Sequence, residues 1–195
     1  VWYSLSDIPG NEASVVTIGN FDVMHNGHKK VISTCIERAH KLGVDAVAIT
    51  FDPHPIQVHT PEVGLQLISP LRDRLDAMAA AGLDATLVAH YDASVYSLEA
   101  DEFVYEYLVE RCGAREVVVG EDFRFGRGNA GTIDTLRELG RRYGFNVITV
   151  TDIEAPEGRR WSSSWVRELL AAGAVSGAAR VLGHLPRIRG PVCHG

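Results

Sequence analysis

The sequence predicts an α/β fold of the Rossmann-like kind: a parallel sheet of at least five strands, helices on both faces and a small C-terminal helical appendage. Three observations predict it. Short apolar runs rich in β-branched residues recur along the chain, segments with a helical apolar period separate them, and glycines close those segments. Each strand–helix–strand unit crosses right-handed and covers one side of the sheet, so the alternation implies cover on both faces. Ligands then belong at the carboxyl ends of the strands.

Residues 15–19 read as the first buried strand, followed by an irregular stretch, 20–28. Val31, Cys35, Ala39 and Leu42 share one face of a helix that Gly43 ends. Residues 46–51 make the second strand, and 52–68 a long connection. Ser69 as cap and Pro70 at the first turn open a helix with Leu71, Leu75 and Met78 on its buried face and Gly82 at its end. The third strand spans 85–89. The acidic run Leu98 to Glu102 starts a helix, because carboxylates suit a helix N-terminus; Phe103, Tyr107 and Leu108 continue it to Gly113. Strand 117–120, loop 121–131, a helix through Leu136, Leu139 and Tyr143 to Gly144, and strand 147–150 come next. After loop 152–162 come a short helix from Trp165 to Ala172, a second near 178–182, and a tail from Gly183. Long irregular connections inside a compact domain are commonly functional, which draws attention to 20–28, 52–68, 121–131 and 152–162.

The 195 residues suit one domain, and 46% hydrophobic against 23% charged residues suffices for a real core. A net charge of −6 argues against a sequence-independent hold on nucleic acid, so an anionic ligand must be gripped locally. No apolar run approaches the roughly 20 residues that cross a bilayer, and no secretory leader is evident. Cys35, Cys112 and Cys193 are odd in number and unpaired in spacing, as in a reduced, cytoplasmic protein.

The stretch Thr17 to His28 leaves a strand and enters a helix near Gly27. Free N–H groups at that helix start, its dipole and two imidazoles make an anion seat, and Gly27 permits close approach to the backbone. His25 and His28, three residues apart, can face one ligand. A lone histidine here would more simply be a cap or a wall residue; two flanking Asn-Gly after a strand favour a phosphate site. Zinc needs a further ligand that no compact cluster supplies, and the P-loop pattern is absent. Asp22 reads equally as a ligand contact or a loop-closing Asx turn, and Lys29 and Lys30 as a solvated helix face.

A second anion seat lies at Arg159 to Leu169, where serines open a helix and Arg167 stands one turn inside it. Serine oxygens suit free N–H groups or phosphate, and a guanidinium forks onto two phosphate oxygens. Taken alone, a serine cap and a solvated arginine would suffice; paired with the histidine loop, the segment favours function.

The pattern Gly19-x-Phe21-Asp22-x-x-His25-x-Gly27-His28 resembles the HxGH signature of the nucleotidyltransferase superfamily, and Ser162 to Arg167 resembles its Ser/Thr-x-x-Arg signature. Thr50 to Pro55, Val119 to Gly126 and the run from Leu170 to Gly183 narrow the resemblance to the FMN adenylyltransferase module of bacterial bifunctional riboflavin kinase/FAD synthetases, in the same order across almost the whole chain. Val23-Met24, Asn26 and Ser164-Trp165 depart from that pattern, and Val23 lacks a glycine's freedom, which predicts a locally different turn.

The resemblance implies a nucleotidyltransferase fold and transfer of AMP from MgATP to FMN, with FAD and pyrophosphate as products. It implies catalytic roles for His25, His28 and Arg167. Gly19, Asn20, Phe21, Asp22, Gly27, Arg160, Ser163 and Ser164 would bind ATP, and Phe51, Asp52, Pro53, His54, Asp122, Phe123 and Phe125 would bind the flavin. Mg²⁺ would bridge phosphate oxygens, with no protein metal ligand implied. Residues 1–184 would form the adenylyltransferase domain. Residues 185–195 resemble a linker and the opening of a riboflavin kinase module whose remainder is not in this sequence. Small-molecule substrates are expected, with neither nucleic acid nor membrane as partner. Another phosphate acceptor, or a flavin- or nucleotide-binding remnant without turnover, are the competing readings.

Overall fold

The five β-branched runs pair side by side in the order β3-β2-β1-β4-β5, every pair parallel. The computed structural model describes all residues except 11, 152–154, 157, 191 and 193–195. Cys193, the end of the tail and part of the 152–162 connection therefore lie outside the described residues. In chain order the elements are β1 (Ser14–Ile18), α1 (Asn26–Leu42), β2 (Asp45–Asp52), α2 (Pro55–His59), α3 (Leu71–Ala80), β3 (Ala85–His90), α4 (Ala93–Tyr96) and α5 (Ala100–Phe103), which runs on as π-helical turns Val104–Arg111. Beyond these lie β4 (Ala114–Gly120), α6 (Ile133–Tyr143), β5 (Asn146–Val150), α7 (Ser163–Ala171) and α8 (Val175–Leu182).

Alternate residues of each strand feed two cores, as a sheet buried on both faces requires. Val15, Ala46, Ala48 and Val118 meet Ile32, Cys35 and Ala39 of α1 and Met78 of α3. On the other face Val16, Val47, Leu87 and Val117 meet Phe103, Val104 and Leu108, together with Leu136 and Leu139 of α6. Fully buried side chains such as Ile32 and Leu108 each stabilise the fold by about 2 kcal/mol. The expected appendage is α7 and α8, whose Trp165, Val166, Val181 and Leu182 close a third cluster over Val23.

Helix ends follow local chemistry with one correction. Gly43 and Gly144 take the left-handed C-cap conformation, φ 65° and 84°, as glycine does readily. Glu99 caps α5 through a capping box with Glu102. Ser69, however, does not cap α3: Pro70 holds the N-cap position without a side-chain bond, and the Ser69 N–H is directed instead at the Asp22 carboxylate, 3.4 Å away.

Strand order reverses direction at β1. The chain leaves β1 for the α1 face, whereas the helices entering and leaving β4 lie on the opposite face. A crevice therefore opens where the carboxyl ends of β1 and β4 diverge.

Candidate active site

A cavity of about 290 Å³ occupies that crevice, near the lower end of the size range of small-molecule sites. Ile18 and Gly19 end β1 against it, Gly120 ends β4, and Val150 and Thr151 end β5. The start of α1 contributes Gly27, His28 and Val31, and the approach to α7 contributes Arg160, Trp161, Ser162 and Ser163. Two helix N-termini thus face one hollow, and at that end of a helix the backbone N–H groups and the dipole favour an anion.

The histidine loop is built by close packing. A Cβ on Gly19 would lie 3.0 Å from the Phe21 ring, so glycine makes room for that ring. Phe21 adopts φ 44° and sets its ring edge-on to His28 at 5.2 Å. Val23, at the turn predicted to differ for want of a glycine, needs no positive φ; its side chain packs into the appendage core. His25 is the N-cap of α1, its Nδ1 accepting from the His28 N–H at 3.3 Å. His28 in turn directs Nδ1 at the Val23 carbonyl. The two rings stack at 3.7 Å and 22°.

These bonds assign the tautomers. A carbonyl only accepts, so His28 Nδ1 carries a proton and its Nε2 keeps a lone pair; His25 Nδ1 accepts, so its proton lies on Nε2. Both rings are neutral at pH 7. Burial above all, with repulsion from His28 and Arg160, lowers the His25 pKa to about 2. Burial likewise lowers that of His28 to about 4, against the opposing pull of the Val23 carbonyl and of Asp22 and Asp122.

Around the rings, Arg160 reaches across to Asp122 at 2.7 Å, and Phe123 forms a wall backed by Phe125, their rings stacked at 5.5 Å. Ser162, one residue before the expected hydroxyls, caps α7 by accepting from the Trp165 N–H at 3.2 Å. Three consecutive serines hid which one would cap.

Several expected residues stand apart from the cavity lining. Arg167, expected beside the imidazoles, instead pairs with Asp22 and donates from Nε to the Gln66 carbonyl at 3.1 Å. Asp22 is 2% exposed and also accepts from the Ile68 N–H at 3.1 Å, so its carboxylate is committed to protein donors. Ser164 is exposed outside the lining, and Phe125 is buried behind Phe123 against Phe103. Phe51, Asp52, Pro53 and His54 lie outside the lining of this cavity. There Phe51 meets Tyr91 edge-on at 5.4 Å, and buried His54 caps α2 by accepting from the Ile56 N–H at 3.2 Å. The Asn20 carbonyl turns away from the cavity toward Thr50 and Arg74. Among the described residues no three His, Cys, Asp or Glu side chains gather as metal ligands.

A family model described as FAD synthetase matches residues 7–165. The chain belongs to the FAD synthetase family. A relative named bifunctional riboflavin kinase/FMN adenylyltransferase from Pseudomonas fluorescens is 37% identical over 96% of this chain and 60% of its own length. A relative of the same name from Escherichia coli strain K12 is 34% identical over 99% of this chain and 61% of its own. The chain therefore spans about three fifths of these curated relatives. A crystal structure described as a macrolide-efflux protein from Streptococcus pneumoniae superposes with a TM-score of 0.83 at 26% identity, covering 94% of this chain and 69% of that one. The matched span of the FAD synthetase family runs from before β1 into the first turn of α7, and so includes both helix starts that line the cavity. No helix among the described residues is long and apolar enough to cross a membrane.

Proposed function

We propose that the chain transfers the adenylyl group of MgATP to the phosphate of FMN, giving FAD and pyrophosphate. One observation carries this reading: a single strand-end cavity joins two neutral imidazoles of opposite Nε2 character with Arg160 and the starts of two helices. A phosphate oxygen of FMN attacks the α-phosphorus in line. A new P–O bond forms, the bond from the α-phosphorus to the bridging oxygen breaks, and pyrophosphate leaves with the electron pair. Because phosphate is already a nucleophile, positioning and charge stabilisation supply the catalysis.

In this reading His25 donates from Nε2 without carrying charge, and His28 becomes a donor by taking a proton as the polyphosphate arrives, since a nearby anion favours the charged form. Arg160, Ser163 and the backbone of Gly27 grip the triphosphate, whose Mg²⁺ arrives as part of the substrate. Arg167 joins the outer phosphates by exchanging Asp22 for a phosphate oxygen. Asp122, Phe123 and the segment Phe51 to His54, with Phe125 behind, flank the flavin. Residues 1–184 make the transferring unit, and 185–195 lead toward a kinase module of the kind the two relatives' names describe. A reaction that consumes ATP belongs in the cytoplasm, in keeping with the buried free thiols Cys35 and Cys112.

The test is to incubate the purified chain with FMN, ATP and Mg²⁺ and measure FAD and pyrophosphate, with riboflavin replacing FMN as the kinase control. Equimolar FAD and pyrophosphate are expected. Pyrophosphate release with phosphopantetheine or glycerol phosphate but not FMN would move the function to another acceptor; tight nucleotide binding without any release would make this a binding domain.

A further inference from the structure

α3 buries two side chains, Met78 and Arg74. Arg74 is 1% exposed, and a guanidinium so placed costs several kcal/mol unless its donors are used. Its Nη1 donates to the Asn20 carbonyl at 2.9 Å and to the Phe51 carbonyl at 3.3 Å, and its Nη2 to Asp52 Oδ1 at 3.2 Å. Nε has no partner. One buried cation therefore joins the ends of β1 and β2, although it lines no part of the cavity.

The Asn20 carbonyl belongs to the peptide that leads into Phe21. It accepts a second bond from Thr50 Oγ1 at 3.1 Å, so two buried donors fix that peptide plane. Phe21 stands at φ 44°, a conformation bulky side chains adopt only when their surroundings over-determine it. That φ lays the ring over Gly19 and edge-on against His28. The contacts form a chain from guanidinium to carbonyl, to strained residue, to imidazole.

We propose that Arg74 is a positioning residue: through the Asn20 carbonyl it holds the Phe21 turn, and through Phe21 it fixes the His28 ring, while its remaining bonds secure the end of β2. The catalytic part of this inference rests on the adenylyl transfer proposed above.

The experiment uses the whole chain with Arg74→Met, Arg74→Lys and Thr50→Val. It reads the thermal midpoint, kcat and KM for MgATP and FMN, and histidine ¹⁵N spectra that report which ring nitrogen of His28 carries the proton. Arg74→Met is expected to lower kcat by about 10- to 100-fold with KM for MgATP changed less than about threefold, and to convert the Nδ1–H signal of His28 to a tautomer mixture. Arg74→Lys recovers part of both, because an ammonium reaches the Asn20 carbonyl but not both strand ends. Thr50→Val gives a smaller change of the same sign. A folded Arg74→Met with wild-type kcat and His28 spectrum overturns the proposal, whatever its midpoint. If Arg74→Met does not fold, wild-type kcat and spectra in both other variants overturn it. If the wild type makes no FAD, the transfer reading fails, while the His28 spectra still decide whether Arg74 governs the ring.

Discussion

Replacing Gly27 by alanine separates stability from catalysis in the histidine loop. A Cβ there would lie 3.1 Å from both Cε1 and Nδ1 of His25, so the ring must give way by a few tenths of an ångström. His25 has little freedom to do so, being 5% exposed and stacked on His28 at 3.7 Å. The bond it accepts from the His28 N–H is already 3.3 Å long, and a shift of that size takes it beyond hydrogen-bonding range. Losing the cap costs about 1 kcal/mol. Alanine recovers up to ~1 kcal/mol of helix propensity in the first turn of α1. The two terms nearly cancel, so the unfolding free energy should stay within about 1 kcal/mol of wild type. Catalysis has no such compensation: moving the Nε2 donor of His25 should lower kcat about 10- to 100-fold. Urea unfolding followed by circular dichroism measures the first quantity and chromatographic FAD formation the second. Wild-type turnover in Gly27→Ala would refute the placement of His25 at the reacting phosphate, and a loss of several kcal/mol would refute the cancellation.

His28→Ala should lower FAD formation by about 10²- to 10³-fold with an unchanged far-ultraviolet spectrum; near-normal turnover would remove His28 from the mechanism. Both imidazoles have folded-state pKa values below the ordinary 6.5, so the unfolded chain binds more protons in acid and stability falls as pH drops below about 6.5, through about 4 for His28 and on toward about 2 for His25. Above the range where carboxylates titrate, the two together contribute a slope approaching ~3 kcal/mol per pH unit, to which His54, whose pKa burial also lowers, adds in the same direction; a series of urea midpoints from about pH 7 to 5 measures the sum, and His28→Ala should remove about half of the pair's share. Asp22→Asn keeps an acceptor for the Ile68 N–H but removes the charge facing Arg167, and should cost about 2 kcal/mol. Hydrogen exchange at Ile68 and Ser69 should quicken, and unchanged protection there would show that the carboxylate does not hold that segment.

Much of the fold is local and so was legible. Apolar periodicity marks which side of a strand or helix is buried, and Gly43 and Gly144 end helices because their φ values suit glycine. A strand ending at Ile18 with a helix starting at Asn26 is enough to bring His25 and His28 to a helix N-terminus. Even Arg74 left a trace, since it falls on the buried stripe between Leu71 and Met78, where a charge demands partners. Ser69 misled because a serine before proline suits a cap in isolation, whereas its N–H is drawn to a carboxylate from another part of the chain.

The alternation of strands and helices and the imidazole pair follow from the sequence by itself, because each depends on neighbours within a turn or two of chain, whereas the crevice between β1 and β4 follows from strand order. Which cation faces that crevice was decided by the tertiary structure alone. Arg160 lines the cavity, while Arg167 pairs with an aspartate 145 residues away. A guanidinium chooses among carboxylates and carbonyls by distance and burial, and chain packing sets both. Phe123 likewise lines the cavity and Phe51 does not, because strand order, which no local pattern encodes, sets which strand ends border it.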